Sequence, residues 1–332
     1  MKGSSKQLRQ RLKTFGFADP AVNAAWPSWW SDEAELSASA QAELRFSLSR
    51  KLGLDPKSLL DDDTPEFVWR DAGRFKHLKD ESEVERAGIT SFATALAVLL
   101  EANVSLPQHE LVGMSATEIR RVLLRNRSFI VIEDLLAFCW ASGVPVLHLR
   151  VFPWPRKRMS AMVLRTRSRP IILLAKDSSY PPDVAFYIAH ELGHIALDQV
   201  HAGDAIVDLE TNELARADYD LEEHAADSFA IELLTGNPNL TVLPTGKGRG
   251  SLSLANAALR ASSELQIEPG MLALCFGYST GNWRVAKGAM RHIYSQPNPV
   301  WRRINQIASG EVRLPELPDD FQSYLSLLLG QG

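Results

Sequence analysis

Cysteine is nearly missing from this chain: Cys139 and Cys275 are the only two in 332 residues. Each sits in an apolar run, which excludes a disulfide scaffold and reads as two buried free thiols of a reducing compartment. No apolar run approaches the ~18 residues that a membrane-spanning helix needs. The first residues, Met1-Lys2-Gly3-Ser4-Ser5-Lys6-Gln7, lead into a polar basic helix without a signal-peptide core. A cytoplasmic protein is the expectation. An excess of basic charge is absent as well. The formal net charge is −4, which argues against a surface given over to nucleic acid and leaves room only for a local basic patch. No internal repeat is evident, which excludes a solenoid. What remains, 45% hydrophobic and 23% charged residues, is ordinary globular composition, and the length suffices for more than one domain.

Against that plain background one stretch stands out, Tyr187-Ile188-Ala189-His190-Glu191-Leu192-Gly193-His194-Ile195-Ala196-Leu197. His190 and His194 are four apart, so on a helix they project from one face a turn apart, close enough to grip a single ion. Glu191 lies beside that pair, where a carboxylate can take a proton from a metal-activated water and pass it to a leaving amine. This is the HExxH arrangement. The apolar residues Val184, Ile188, Leu192, Ile195 and Ala196 recur at helical spacing, and Pro181-Pro182-Asp183 suits a helix start.

Two imidazoles and a water leave a zinc site one protein ligand short. Downstream, residues 221–234 form a second helical run whose apolar stripe is Ala226, Phe229, Ala230 and Leu233. Glu223 and Asp227 share a face of it. Glu223 can complete a His2Glu set, while Asp227, one turn on, can accept the free ring N–H of a ligating histidine. Glu222 and His224 are rival third ligands. Glu222 points about 100° away from Glu223 on the helix, and the apolar stripe favours Glu223 as the inward residue.

Residues 115–290 resemble the ImmA/IrrE family of bacterial zinc metallopeptidases. The likeness rests on Gly143-Val144-Pro145, the strand-like Arg169-Pro170-Ile171-Ile172-Leu173-Leu174, the stretch from Phe186 to His194, and Glu223-x-x-Ala226-Asp227-x-Phe229-Ala230-x-Glu232-Leu233-Leu234. Where the family often carries Glu and Met-Pro, this chain has Ala225 and Thr235-Gly236. The resemblance implies His190, His194 and Glu223 as metal ligands for zinc, with manganese as the alternative, and Glu191 as catalytic base. It further implies a hydrolase of regulatory type that cuts a helix-turn-helix repressor or antitoxin-like partner in a stress or mobile-element response. The alternative reading is a DNA- or protein-binding regulator, or a toxin–antitoxin component, that uses the metal fold as sensor or scaffold.

The implied architecture is α+β and mostly helical, with a small β-sheet packed against a zincin-type helix pair. Three segments are expected: a helical module at 1–65, the metallopeptidase domain at 66–240 and a helical module at 241–332. In the first, Trp26, Trp29 and Trp30 cluster around Pro27. There too, a helix ending at Gly53 and restarting at Asp55-Pro56 is weakly similar to a helix-turn-helix, although Asp61-Asp62-Asp63 would repel a duplex. Strands are expected around Leu147 to Val151, Met162 to Arg165 and Ile171 to Ala175, with an edge strand beside the metal able to pair with an extended peptide. His148 reads as a strand surface residue. Asp204 to Asp220, rich in Asp and Glu against Arg216 alone, reads as a solvated flap. Tyr219, His201 and His224 are the candidates for an oxyanion-stabilising group. Arg284, Lys287, Arg291, Arg302 and Arg303, interleaved with Trp283 and Trp301, form the best basic and aromatic patch, and their plainer role is to lie over packed helices.

Overall fold

The computed structural model describes residues 4–61, 64–71, 73–76, 82–155, 159–209, 220–243, 250–294, 296 and 298–331. Tyr219, the acidic residues 210–218, Asp62 and Asp63, the basic residues 156–158 and the glycine-rich loop 244–249 lie outside the described residues.

The chain opens with α1 (Ser5–Phe15), α2 (Asp19–Ala25), α3 (Asp32–Glu35), α4 (Ala38–Leu52) and α5 (Pro56–Leu60). Then come β1 (Gly73–Lys76), α6 (Glu83–Asn103), α7 (Ala116–Leu123), α8 (Ile132–Ala141), β2 (Val146–His148), β3 (Met159–Arg165) and β4 (Pro170–Leu174). The metal-motif helix α9 (Pro181–Ala196), strand β5 (Ala205–Leu209) and α10 (Leu221–Thr235) follow. The chain closes with α11 (Ser251–Leu265), α12 (Pro269–Thr280), α13 (Trp283–Ile293), α14 (Val300–Glu311) and α15 (Asp319–Leu328). This is α+β and mostly helical. No helix among the described residues is long and apolar enough to cross a membrane.

The five strands make one mixed sheet in the order β1-β5-β3-β4-β2. β1 runs parallel to β5 and β2 parallel to β4, while β3 is antiparallel to both β4 and β5. Because side chains alternate along a strand, each strand feeds two cores. Leu147, Met162, Leu164, Ile171, Leu173 and Val207 enter one, and Val146, Ala161, Val163, Ile172, Leu174 and Ile206 enter the other. A sheet covered on both faces reads as near-continuous apolar runs, which is how β3 and β4 look in the sequence.

The first core joins the two ends of the chain. Leu8, Leu12, Leu44, Leu48 and Leu59 from α1, α4 and α5 pack in one buried cluster with Phe92 and Leu96 of α6 and with Phe321, Tyr324 and Leu328 of α15. Lys51 of α4, almost wholly buried, donates to Asp320 Oδ1 at 2.7 Å, and the Tyr324 hydroxyl donates to the Lys51 carbonyl. The expected segments 1–65 and 241–332 thus share buried contacts rather than standing as separate cores.

The helix, turn and helix at residues 38–60 form as the sequence suggests. Gly53 stops α4 at φ 71°, where a Cβ would lie 2.3 Å from the Ser91 carbonyl oxygen. Asp55 caps α5 by accepting from the Ser58 N–H at 3.2 Å. However, α5 is five residues long, and its Ser58 and Leu59 are buried.

Two strands were not expected. β1 comes from a charge-dense stretch, and β5 lies inside the sheet within what the sequence suggests is a solvated flap. The strand nearest the metal motif is therefore internal, and β1 takes the edge. His148 is also corrected. It is fully buried because α14 covers β2, where the Asn305 side chain both accepts from the His148 N–H at 2.9 Å and donates to the His148 carbonyl at 2.7 Å.

Candidate metal centre

α9 starts where it does because Pro181 and Pro182 occupy its first turn, with φ preset for a helix. Asp183 lies in the same turn and accepts from the Ser178 hydroxyl at 2.7 Å, favourably placed against the helix dipole. α10 is opened by Asp220, which accepts from the Glu222 N–H at 2.9 Å, and closed by Gly236 at φ 82°. The two helices cross at Gly193. A Cβ there would stand 3.2 Å from both the Cα and the carbonyl oxygen of Ala226 and 3.3 Å from the Phe229 Cβ. The glycine between the two motif histidines is what lets α10 come close enough to present a carboxylate to them.

Glu223 is that carboxylate. Its Oε2 lies 3.4 Å from His190 Nε2 and its Oε1 3.5 Å from His194 Nε2, with the side chain only 12% exposed. The two Nε2 atoms are 3.0 Å apart. Asp227, one turn on, faces His190 Nδ1 at 3.1 Å. Glu222, the rival third ligand, is 41% exposed and pairs with Arg74 at 3.1 Å, and His224 is exposed on α10.

The hydrogen bonds fix the tautomers. Gln199 Nε2 donates to the Glu222 carbonyl at 3.4 Å, so its Oε1 is the atom 2.6 Å from His194 Nδ1, and that nitrogen must donate. Asp227 likewise takes the Nδ1–H of His190. With both Nδ1 atoms donating, the two Nε2 atoms face each other across 3.0 Å, which is repulsive between neutral imidazoles unless a proton or a metal ion lies between them. The site has the donors for one. His190, His194, Glu223 and Asp208 each offer a ligand atom, all within 4.8 Å of one another. A divalent metal ion fits this set of two imidazoles and carboxylates.

Asp208 and Gln199 are the residues that sequence reasoning missed. Asp208 lies on β5 with its Oδ2 3.4 Å from His190 Nε2 and its side chain 13% exposed. Arg74 of β1 donates to the Gln199 carbonyl as well as to Glu222, tying the sheet edge to the loop after α9. Of the oxyanion candidates, His201 is exposed and pairs loosely with Asp198 at 3.9 Å. His224 is exposed and Tyr219 lies outside the described residues.

Glu191 is completely buried, and neither carboxylate oxygen has a hydrogen-bond partner among the described residues. Burial, followed by the carboxylates of Asp208 and Glu223 and only partly offset by His190, holds its pKa well above the usual carboxylate range. His190 moves up too. Burial opposes its charge, yet Asp208, Asp227, Glu223 and Glu191 together outweigh that and push its pKa well above the ordinary 6.5.

The remaining sequence features are structural. Both cysteines are free and buried, and burial pushes the Cys275 thiol up to about 12. The basic and aromatic patch is divided: Trp301 on α14 lies under Arg150 and Arg302, whereas Trp283 on α13 packs against Tyr278. Trp26 packs edge-on to Trp30 and under Arg9.

No curated protein and no solved structure matches the chain. Residues 139–242 match the family described as IrrE N-terminal-like domain, Peptidase_M78. That span contains the paired histidines, Glu191, both acidic partners from β5 and α10, and the Gly193 crossing that assembles them, and over it the chain is similar to the IrrE N-terminal-like (Peptidase_M78) family.

Proposed function

We propose that this protein is a zinc-dependent endopeptidase of regulatory type, which hydrolyses a peptide bond in a partner protein of the helix-turn-helix repressor or antitoxin kind. The observation that carries the reading is the convergence of two Nε2 atoms and the Glu223 carboxylate beside a buried Glu191 that has no hydrogen-bond partner among the described residues. His190, His194 and Glu223 would hold the ion, and the nitrogen and carboxylate donors suit zinc, with manganese as the alternative. A divalent ion bound there supplies a Lewis acid that polarises the scissile carbonyl and acidifies a water.

The chain's own residues do the rest. Glu191, raised in pKa by its surroundings, is matched to accept a proton from the attacking water and deliver it to the leaving amine nitrogen. Asp227 and Gln199 hold the rings by their Nδ1–H groups, so that each Nε2 stays an acceptor. Burial of His194 and Glu191 keeps bulk water away from the proton-transfer path. β1, an outer strand paired with the Asp208 strand β5, offers an edge for an extended peptide segment.

The test is to measure metal content and to incubate the protein with the product of the adjacent gene. Cleavage that disappears in Glu191→Gln while the metal stays bound supports the reading. Intact partner with a fully loaded wild type contradicts it. A DNA-reading role for residues 1–65 has less support, because α5 is short and its Leu59 carbonyl accepts from the buried Arg45 Nε at 3.1 Å. Tight, salt-sensitive DNA binding unaffected by Glu191→Gln would favour that regulator reading instead.

A further inference from the structure

β5 reads Ala205-Ile206-Val207-Asp208-Leu209, one carboxylate in an otherwise apolar strand. Ala205 and Val207 enter the core on one face, so Ile206 and Asp208 point to the other, the face covered by α9. Asp208 therefore occupies a position that the strand's pattern reserves for an apolar side chain. Burying a carboxylate in such a place is costly unless a cation or donors meet it. Glu191 and Glu223, both largely buried nearby, make the cost greater.

What Asp208 meets is the histidine pair. Its Oδ2 lies 3.4 Å from His190 Nε2, the same distance that separates Glu223 Oε2 from that atom. The pairing beside it is irregular. The register between β3 and β5 shifts between Met159 and Ala161, so that Met159 faces Leu209 and Ala161 faces Asp208, with Ser160 as the extra residue. A bulge of this kind re-aims side chains next to it and is common beside active sites.

We propose that Asp208 is a fourth protein ligand of the metal, completing a His190, His194, Glu223 and Asp208 set that closes the coordination sphere in this conformation. Two imidazoles and two carboxylates around a divalent ion are electrically neutral. Four protein ligands are the mark of a closed zinc site, whereas three with one open position mark a catalytic one. The resting site is then closed, and a bound substrate carbonyl reaches the ion by displacing Asp208. Asp208 is the penultimate residue of β5, so that displacement requires only the end of one strand to fray. The inference rests on the metal-binding reading above and adds to it a residue and a resting state.

The test uses the full chain, stripped with a chelator and reloaded with Co2+, whose visible spectrum reports its ligands. Acetohydroxamate serves as the probe of an open position, and competition with a chromophoric chelator gives the zinc affinity. In the wild type, millimolar acetohydroxamate is expected to leave the cobalt spectrum unchanged. In Asp208→Asn, which keeps the side-chain volume, acetohydroxamate shifts the spectrum, and zinc affinity falls by about tenfold or more. A wild type that responds to acetohydroxamate as strongly as the variant overturns the proposal even if the variant folds poorly. Equal zinc affinities in the two folded proteins overturn it as well. A wild type that takes up no cobalt removes the metal-binding reading itself, an outcome distinct from cobalt bound in an already open site.

Discussion

Replacing Gly193 by alanine tests whether the approach of two helices, rather than the motif alone, makes the site. The new Cβ would stand 3.2 Å from the Cα and carbonyl oxygen of Ala226 and 3.3 Å from the Phe229 Cβ. Carbon atoms pack best at about 3.5–4.0 Å, so α9 and α10 must part by a few tenths of an ångström. Overpacking of this size costs about 1–3 kcal/mol, and alanine returns about 1 kcal/mol of helix propensity. The net loss of stability is then about 0–2 kcal/mol, a change of only a few degrees in Tm for a chain this long. The site should suffer more, because Glu223 rides on α10 while both histidines ride on α9. We expect zinc affinity to fall by about tenfold, the scale on which misplaced support for a ligand is felt. The assays are thermal melting of the chelated protein and zinc competition. The contact is with backbone and Cβ atoms, so adding Ala226→Gly should not rescue affinity. Unchanged zinc affinity in Gly193→Ala, or rescue by Ala226→Gly, would refute the account of the helix crossing.

Other expectations follow from the same geometry. Asp227→Asn and Gln199→Ala should each weaken zinc binding by about 10–100-fold without unfolding the protein, since each frees a ligating ring to rotate. Retention of full affinity in both would mean that the Nδ1 partners are incidental. Glu191→Gln should keep the metal and lower the peptidase rate by at least the ~100-fold that a general base contributes. Removing a buried carboxyl whose ionisation is costly should also raise the metal-free Tm more at high pH than at low pH, and a lower Tm at high pH would contradict the burial argument. The pH dependence has a definite sign. His190 and Glu191 both hold protons more tightly folded than unfolded, their ordinary values being 6.5 and 4.5. Their contribution to the metal-free protein is fully present below those values and is lost as pH rises through the higher folded ones. Zinc displaces these protons, so the rise in Tm on adding zinc should grow between about pH 6 and about pH 8, and a flat or falling difference would contradict the shifts.

The part of the site that could be read in the sequence is the part built from local spacing. His190 and His194 lie one turn apart, and so do Glu223 and Asp227. A helix turns those intervals into shared faces whatever surrounds them. The third ligand and its rivals could be separated by one apolar stripe, because α10 must bury Ala226, Phe229 and Leu233 against α9. Nothing local announces β1. Gly73 to Lys76 is four residues in a charged stretch, and it is a strand because it pairs in parallel with residues 205–208, far away in the sequence. Such pairing leaves no periodic trace at either end.

Asp208 was hidden for a different reason. Counting acids from Asp204 to Asp220 treats them as one solvated run, yet the run contains a boundary. Ala205 to Leu209 has the composition of a buried strand, and only its single carboxylate made it look like flap. The informative comparison was between Asp208 and its immediate neighbours: a charge flanked by Val207 and Leu209 in a sheet covered on both faces must point into a core, and a core that accepts it must offer a counter-charge. Here the imidazole 3.4 Å from it, His190, is also a predicted metal ligand. A charge that breaks an apolar strand midway along the chain between the two metal helices is therefore a better guide to the missing member of the site than the density of charge around it.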